Sequence, residues 1–129
     1  MKLVYVAGPF RGKNSWEVEN NIRKAEQMGF EIAEMGAIPI IPHTMYRFWD
    51  GTLNDEFWLA CGIEMLVRCD AIFMNYGWMH STGSKAELDF AKKQNIPDFY
   101  DLGSLKRWLM AQEIAPPASA DSISGFLPE

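Results

Sequence analysis

Hydrophobic positions in this chain follow two alternating rhythms. Short, nearly unbroken apolar runs occur at Leu3-Val-Tyr-Val-Ala7, Ala37-Ile-Pro-Ile-Ile41 and Ala71-Ile-Phe-Met74, with a weaker one at Ile96-Pro-Asp-Phe-Tyr100. Runs of this length without polar alternation are typical of strands covered on both sides, as in a parallel sheet. Pro39 marks its own strand as an edge strand, or as one whose N–H has no ladder partner. Between the runs the spacing becomes helical. A long helix capped by Asn14 or Ser15 carries Val18, Ile22, Ala25, Gly29, Ile32 and Ala33 on one face and ends at Gly36. A second starts at Asn54 and reaches about Arg68, with Trp58, Cys61, Gly62, Met65 and Leu66 on one stripe. A third begins near Ser84 and ends near Asn95. A last one spans Leu102 to Met110, with Leu105, Trp108 and Leu109 facing inward.

This alternation of strand and helix predicts an α/β fold: a flavodoxin- or Rossmann-like open parallel sheet of four to five strands with helices on both faces. Residues 1–111 form one expected domain, and residues 112–129 shift to an Ala-, Pro- and Ser-rich composition expected of a tail. A chain of 129 residues is long enough for one core, and 48% hydrophobic with 22% charged residues is ordinary for a globular protein. The net charge of −5, with no basic cluster longer than Lys92-Lys93, argues against a nucleic-acid partner. No apolar run approaches the ~20 residues of a membrane span. Met1–Val6 is too short for a leader before Gly8-Pro9 interrupts it. The expectation is a cytoplasmic protein. Cys61 and Cys69 form no Cys-x-x-Cys pair and lie far from both histidines, so they read as buried free thiols rather than a zinc site. No metal or other cofactor is called for.

Parallel sheets of this kind bind ligands beyond the carboxyl ends of their strands. Three unusual segments fall there: Gly8–Gly12, His43–Gly51 and Asn75–Glu87. In the first, Gly8 and Gly12 allow close backbone approach, and Arg11 can hold a phosphate or carboxylate with two N–H groups. An ordinary turn with a solvated arginine fits equally well. In the second, Tyr46, Phe48 and Trp49 either stack on a flat base or cover the sheet end. A histidine placed like His43 is more often structural than catalytic. In the third, a Gly/Ser-rich turn opens a helix, where free N–H groups and the helix dipole favour an anion. Glu87 shares a face with Phe90 and Ala91, so its carboxylate points inward. Ser84-Lys-Ala-Glu87 also fits a capping box, and periodicity alone favours that reading.

Taken together, Tyr5-Val-Ala-Gly-Pro-Phe-Arg-Gly12, Arg68-Cys-Asp-Ala-Ile72 and Gly77-Trp-x-x-Ser81-x-Gly83-x-x-x-Glu87 resemble the nucleoside 2-deoxyribosyltransferase superfamily, nearest to its 2'-deoxynucleoside 5'-monophosphate N-glycosidases. The resemblance runs from Met1 to about Tyr100. It implies a hydrolase cleaving the N-glycosidic bond of a (deoxy)nucleoside 5'-monophosphate, with Glu87 as nucleophile and Tyr5 assisting. Arg11, Gly12, Ser81 and Gly83 would hold the phosphate, and Gly8, Phe10 and His43 complete the candidate substrate contacts. A homodimer is also implied, with the partner lending residues to each site. One position departs from the pattern: relatives carry an aspartate where this chain has Gly62, and Glu64 lies about 200° away around the helix. Asp50, Asp55 or His43 are the candidates to reach in from the neighbouring loop. The alternatives are base transfer between nucleosides, or a nucleotide-binding protein of the same fold without turnover.

Overall fold

The structure, a computed structural model, describes residues 1–112, so the Ala/Pro/Ser-rich segment expected over 112–129 lies outside the described residues from 113 onward. Its elements are β1 (Leu3–Ala7), α1 (Ser15–Glu34), β2 (Ile38–Ile40), α2 (Pro42–Met45), α3 (Asp55–Leu66), β3 (Ala71–Met74), α4 (Thr82–Lys93), β4 (Asp98–Phe99) and α5 (Leu102–Gln112). The strands form one parallel sheet in the order β2-β1-β3-β4. This is the expected open α/β architecture.

The sequence of β1 explains the two-layered cover. Val4 and Val6 face one side and pack with Ala25 and Ile32 of α1 and Leu105 and Leu109 of α5. Tyr5 and Ala7 face the other and pack with Leu66 of α3 and Leu88 and Ala91 of α4. In β3, Ala71 and Phe73 join the first core, and Ile72 and Met74 the second. Every residue of these two strands meets a helix on one side or the other, so no polar alternation survives. Gly29 lets α1 settle closely on the sheet edge, because a Cβ there would lie 2.2 Å from Cδ1 of Ile41. As Pro39 suggested, β2 is an edge strand, and β4 lies at the other edge.

Local signals set most boundaries. The side chains of Asn14 and Asn54 accept the N–H groups of Glu17 and Phe57, capping α1 and α3. Gly36, at φ +87°, follows α1 in the left-handed conformation that favours glycine. Four expectations need correction. α4 begins at Thr82, not near Ser84, because Ser81 is the cap and accepts the Ser84 N–H. That leaves Glu87 too deep in the helix to reach back to the cap, so the capping box does not form. α3 stops at Leu66, short of Arg68. Ala33 is exposed rather than part of the α1 core face. The fourth strand shrinks to Asp98–Phe99. Two short helical turns were not foreseen: α2, with proline at its first position, and a 3-10 turn over Trp78–His80. Among the described residues no helix is long and apolar enough to cross a membrane.

Candidate active site

The order β2-β1-β3-β4 makes the chain leave β1 and β3 on opposite courses, and this opens a crevice beyond their carboxyl ends. A cleft of about 610 Å³ occupies it, walled by the loop after β1, by α2 and the following aromatic loop, by α3, and by the N-terminus of α4. At its base lie Tyr5 and Glu87, one from the sheet and one from α4. Tyr5 is 1% exposed, and its hydroxyl donates to Oε2 of Glu87. α3 crosses above the pair at Gly62, where a Cβ would stand 2.7 Å from the Tyr5 hydroxyl and 2.9 Å from Glu87 Oε2.

Burial governs the ionisation of both groups. It pushes the Glu87 carboxyl up to about 7, while the hydrogen bond from Tyr5 pulls the other way. It raises the Tyr5 phenol well above its usual range, helped by the charge and hydrogen bond of Glu87. Tyr5 therefore stays a proton donor at neutral pH. With Oε2 held by Tyr5, Oε1 is the carboxylate oxygen left for chemistry.

The α4 terminus supplies donors. Ser81 Oγ accepts both the N–H and the hydroxyl of Ser84, at 3.2 and 2.9 Å, so its own proton is free to point away from the helix. The N–H groups of Thr82 and Gly83 belong to the first turn and lack intrahelical acceptors. Thr82 and Gly83 line the cleft, and a Cβ on Gly83 would meet nothing within 4 Å. Across the cleft, Arg11 is ion-paired with Asp55 in the first turn of α3, and both side chains are largely exposed.

His43 is buried and holds the loop after β1. Its Nε2 lies 3.0 Å from the carbonyl oxygens of both Gly8 and Pro9. Because both partners only accept, Nε2 carries the hydrogen. Burial lowers the ring's pKa, so the imidazole is neutral at pH 7. The Phe10 ring packs 5.9 Å from it. Gly8 passes close to the end of β3, where a Cβ would stand 3.1 Å from Cβ of Asn75. Gly12 plays a different part. It is packed on Glu17 at the start of α1, where a Cβ would stand 2.4 Å from Glu17 Cβ, and it does not line the cleft. The other singled-out residues, Tyr5, Gly8, Phe10, Arg11, His43, Ser81, Gly83 and Glu87, are all brought to it.

The aromatic loop divides its duties. Tyr46 lines the cleft and packs 4.7 Å from Trp58, Trp49 stacks on Trp58 from 6.2 Å, and Phe48 turns to solvent. Trp58 also lines the cleft, and its indole N–H has no partner among the described residues. The residue pattern carries no sign of this, because the helical stripe that holds Trp58 reads simply as core. Asp50, Asp55 and Glu56 add acidic groups to the wall. Among the described residues no cluster of three or more His, Cys, Asp or Glu is placed to hold a metal ion.

A family described as "Domain of unknown function (DUF7768)" matches residues 2–101. The chain belongs to that family. The DUF7768 match covers all four strands and the helices that wall the cleft, through to β4. No curated protein sequence matches the chain significantly. Among solved structures, a 2-deoxyribosyltransferase from the psychrotolerant bacterium Bacillus psychrosaccharolyticus superposes with a TM-score of 0.53. The likeness covers 74% of this chain and 69% of that one, at 22% identity. The DUF7768 domain thus shares the deoxyribosyltransferase-like fold.

Proposed function

We infer that this protein cleaves the N-glycosidic bond of a (deoxy)nucleoside 5'-monophosphate. The observation that carries the reading is the buried Tyr5–Glu87 pair at the base of the cleft. A carboxylate has no structural reason to be there, since the helix cap is made by Ser81 instead. In this reaction Oε1 of Glu87 attacks the anomeric carbon, and a sugar–enzyme ester forms as the bond from that carbon to the base nitrogen breaks. The bonding pair leaves with the base, which takes a proton from water at the cleft mouth. Water then attacks the anomeric carbon as its bond to Glu87 breaks, its proton neutralises the hydroxide left at the first step, and the carboxylate and the sugar phosphate are freed. Tyr5 keeps Oε2 engaged throughout, so the attacking oxygen is aimed rather than free to rotate.

The phosphate fits the α4 terminus, where Ser81, with its hydroxyl, and Thr82 and Gly83, with their N–H groups, line the cleft. Arg11 reaches the same phosphate by exchanging Asp55 for it. The Tyr46–Trp58 wall offers the base an apolar face. The similar solved structure belongs to an enzyme characterised as a biocatalyst for nucleoside synthesis, which favours transfer of the sugar to a second base as the other reading.

The test is to incubate the protein with deoxyribo- and ribonucleoside 5'-monophosphates and the matching nucleosides, with and without a second free base, and to follow bases by chromatography. Base release from a monophosphate in water supports the proposal. Turnover only when a second base is present assigns transfer. No turnover from any substrate rejects both.

A second copy of the chain fits the outer side of α3. Leu66 and Gly62 of this helix are buried, yet Phe57 is exposed on another face, and Trp49 and Leu53 in the preceding loop are exposed as well. Large apolar side chains grouped on a surface mark a place for a partner. Sedimentation should show a homodimer that Phe57→Glu converts to monomer. A wild-type monomer at micromolar concentration would remove this part of the reading.

A further inference from the structure

Glycine is disfavoured in a helix interior relative to alanine, so Gly62 in the middle of α3 calls for a packing reason. The reason lies directly beneath it. A single added carbon would stand 2.7 Å from the Tyr5 hydroxyl and 2.9 Å from Glu87 Oε2, distances that real Cβ atoms do not tolerate. Little can yield. The Tyr5 ring is fixed in the sheet at 1% exposure, and α3 is anchored one turn further on by the fully buried Leu66. The mobile partner is Glu87, whose side chain has three rotatable torsions and opens on the cleft.

We propose that Gly62 is a positioning residue of the site: the bare Cα of α3 lets the Tyr5 hydroxyl and Glu87 Oε2 meet, and so decides which carboxylate oxygen faces the substrate. The proposal rests on reading Glu87 as the nucleophile. Any side chain at 62 drives Glu87 off Tyr5 and out of aim. A carboxylate there would in addition set a second negative charge against the first.

Gly62→Ala, Tyr5→Phe and the double variant test this. The Glu87 titration is followed through its carboxyl carbon by NMR, assigned by its loss in Glu87→Gln, and turnover is measured alongside. Gly62→Ala should move the Glu87 midpoint in the same direction as Tyr5→Phe, and the double variant should move it no further. For turnover, kcat should fall about tenfold or more, with KM nearly unchanged. A wild-type titration in Gly62→Ala, or additive effects of the two substitutions, overturns the proposal. If wild type shows no turnover, the glycosidase reading fails by itself and the titration still decides Gly62. If Gly62→Ala lowers the melting temperature, adding Tyr5→Phe should restore it by making room. Failure to restore it counts against the proposal.

Discussion

Glu87→Ala should reduce base release by at least about 10³-fold while leaving nucleotide affinity within a few-fold of wild type, because it removes the group that makes the covalent bond and leaves the phosphate donors untouched. Those donors come from Ser81, Thr82 and Gly83 at the head of α4, and Glu87 lies further along the helix. Single-turnover base release and calorimetric titration measure the two quantities separately. Acid-quenched wild type should also carry the mass of one sugar phosphate, and Glu87→Ala should not. Equal turnover in the variant would remove Glu87 from the chemistry. Loss of binding along with turnover would show that the carboxylate holds the ligand rather than attacking it.

Glu87→Gln should make the protein more stable, and more so as pH rises. In the folded state burial pushes this carboxyl from its ordinary 4.5 up to about 7. Between those values the unfolded chain gives up the proton while the folded one keeps it, so raising pH draws the equilibrium toward unfolding. The loss is complete above about 7. At about 1.4 kcal/mol per pH unit it amounts to about 3 kcal/mol as an upper figure. Glutamine keeps the shape and still accepts from Tyr5 but never ionises. It should match wild type near pH 4 and exceed it at pH 8.5 by on the order of 10 °C in melting temperature. Thermal unfolding at the two pH values checks this, and a gain that does not depend on pH would show that ionisation of Glu87 is not the cause. Catalysis runs the other way. The nucleophile must be ionised, so kcat/KM should climb as pH passes through about 7 while Tyr5 remains protonated. Function and stability thus pull against each other at a single carboxyl.

The fold was legible because its signals are local and repeated. Leu3–Ala7 and Ala71–Met74 are apolar throughout since helices cover them on both sides, and Asn14, Asn54 and Gly36 mark helix ends by their own side chains or lack of one. Ser81 and Ser84 show where such signals fail. Both are good caps three residues apart, and Ser84 is buried with its N–H given to Ser81, which no local pattern reports. The site was legible to the extent that it is built on strand ends and one helix start, which placed Tyr5, Arg11, Ser81 and Glu87 around one crevice before any contact was known. The parts that were hidden depend on distant segments meeting. Gly12 looks like a ligand loop but serves Glu17, Trp58 looks like core but walls the cleft, and the Arg11–Asp55 pair joins residues far apart in sequence. Gly62 was visible as an anomaly, while its cause, a tyrosine hydroxyl and a carboxylate from two other elements, was not.

The edge strand has a consequence for how copies of this protein can meet. The Ile38 N–H is given inward to the Lys2 carbonyl, so the next residue along β2 presents its backbone outward, and that residue is Pro39. The middle of this three-residue rim therefore offers an acceptor but no donor to an incoming strand. Continuation of the sheet from one molecule to the next, the route to fibrils, is blocked at this rim by one imino acid. At this edge ordered self-association is thereby turned toward the helical faces, where a two-fold contact closes on itself.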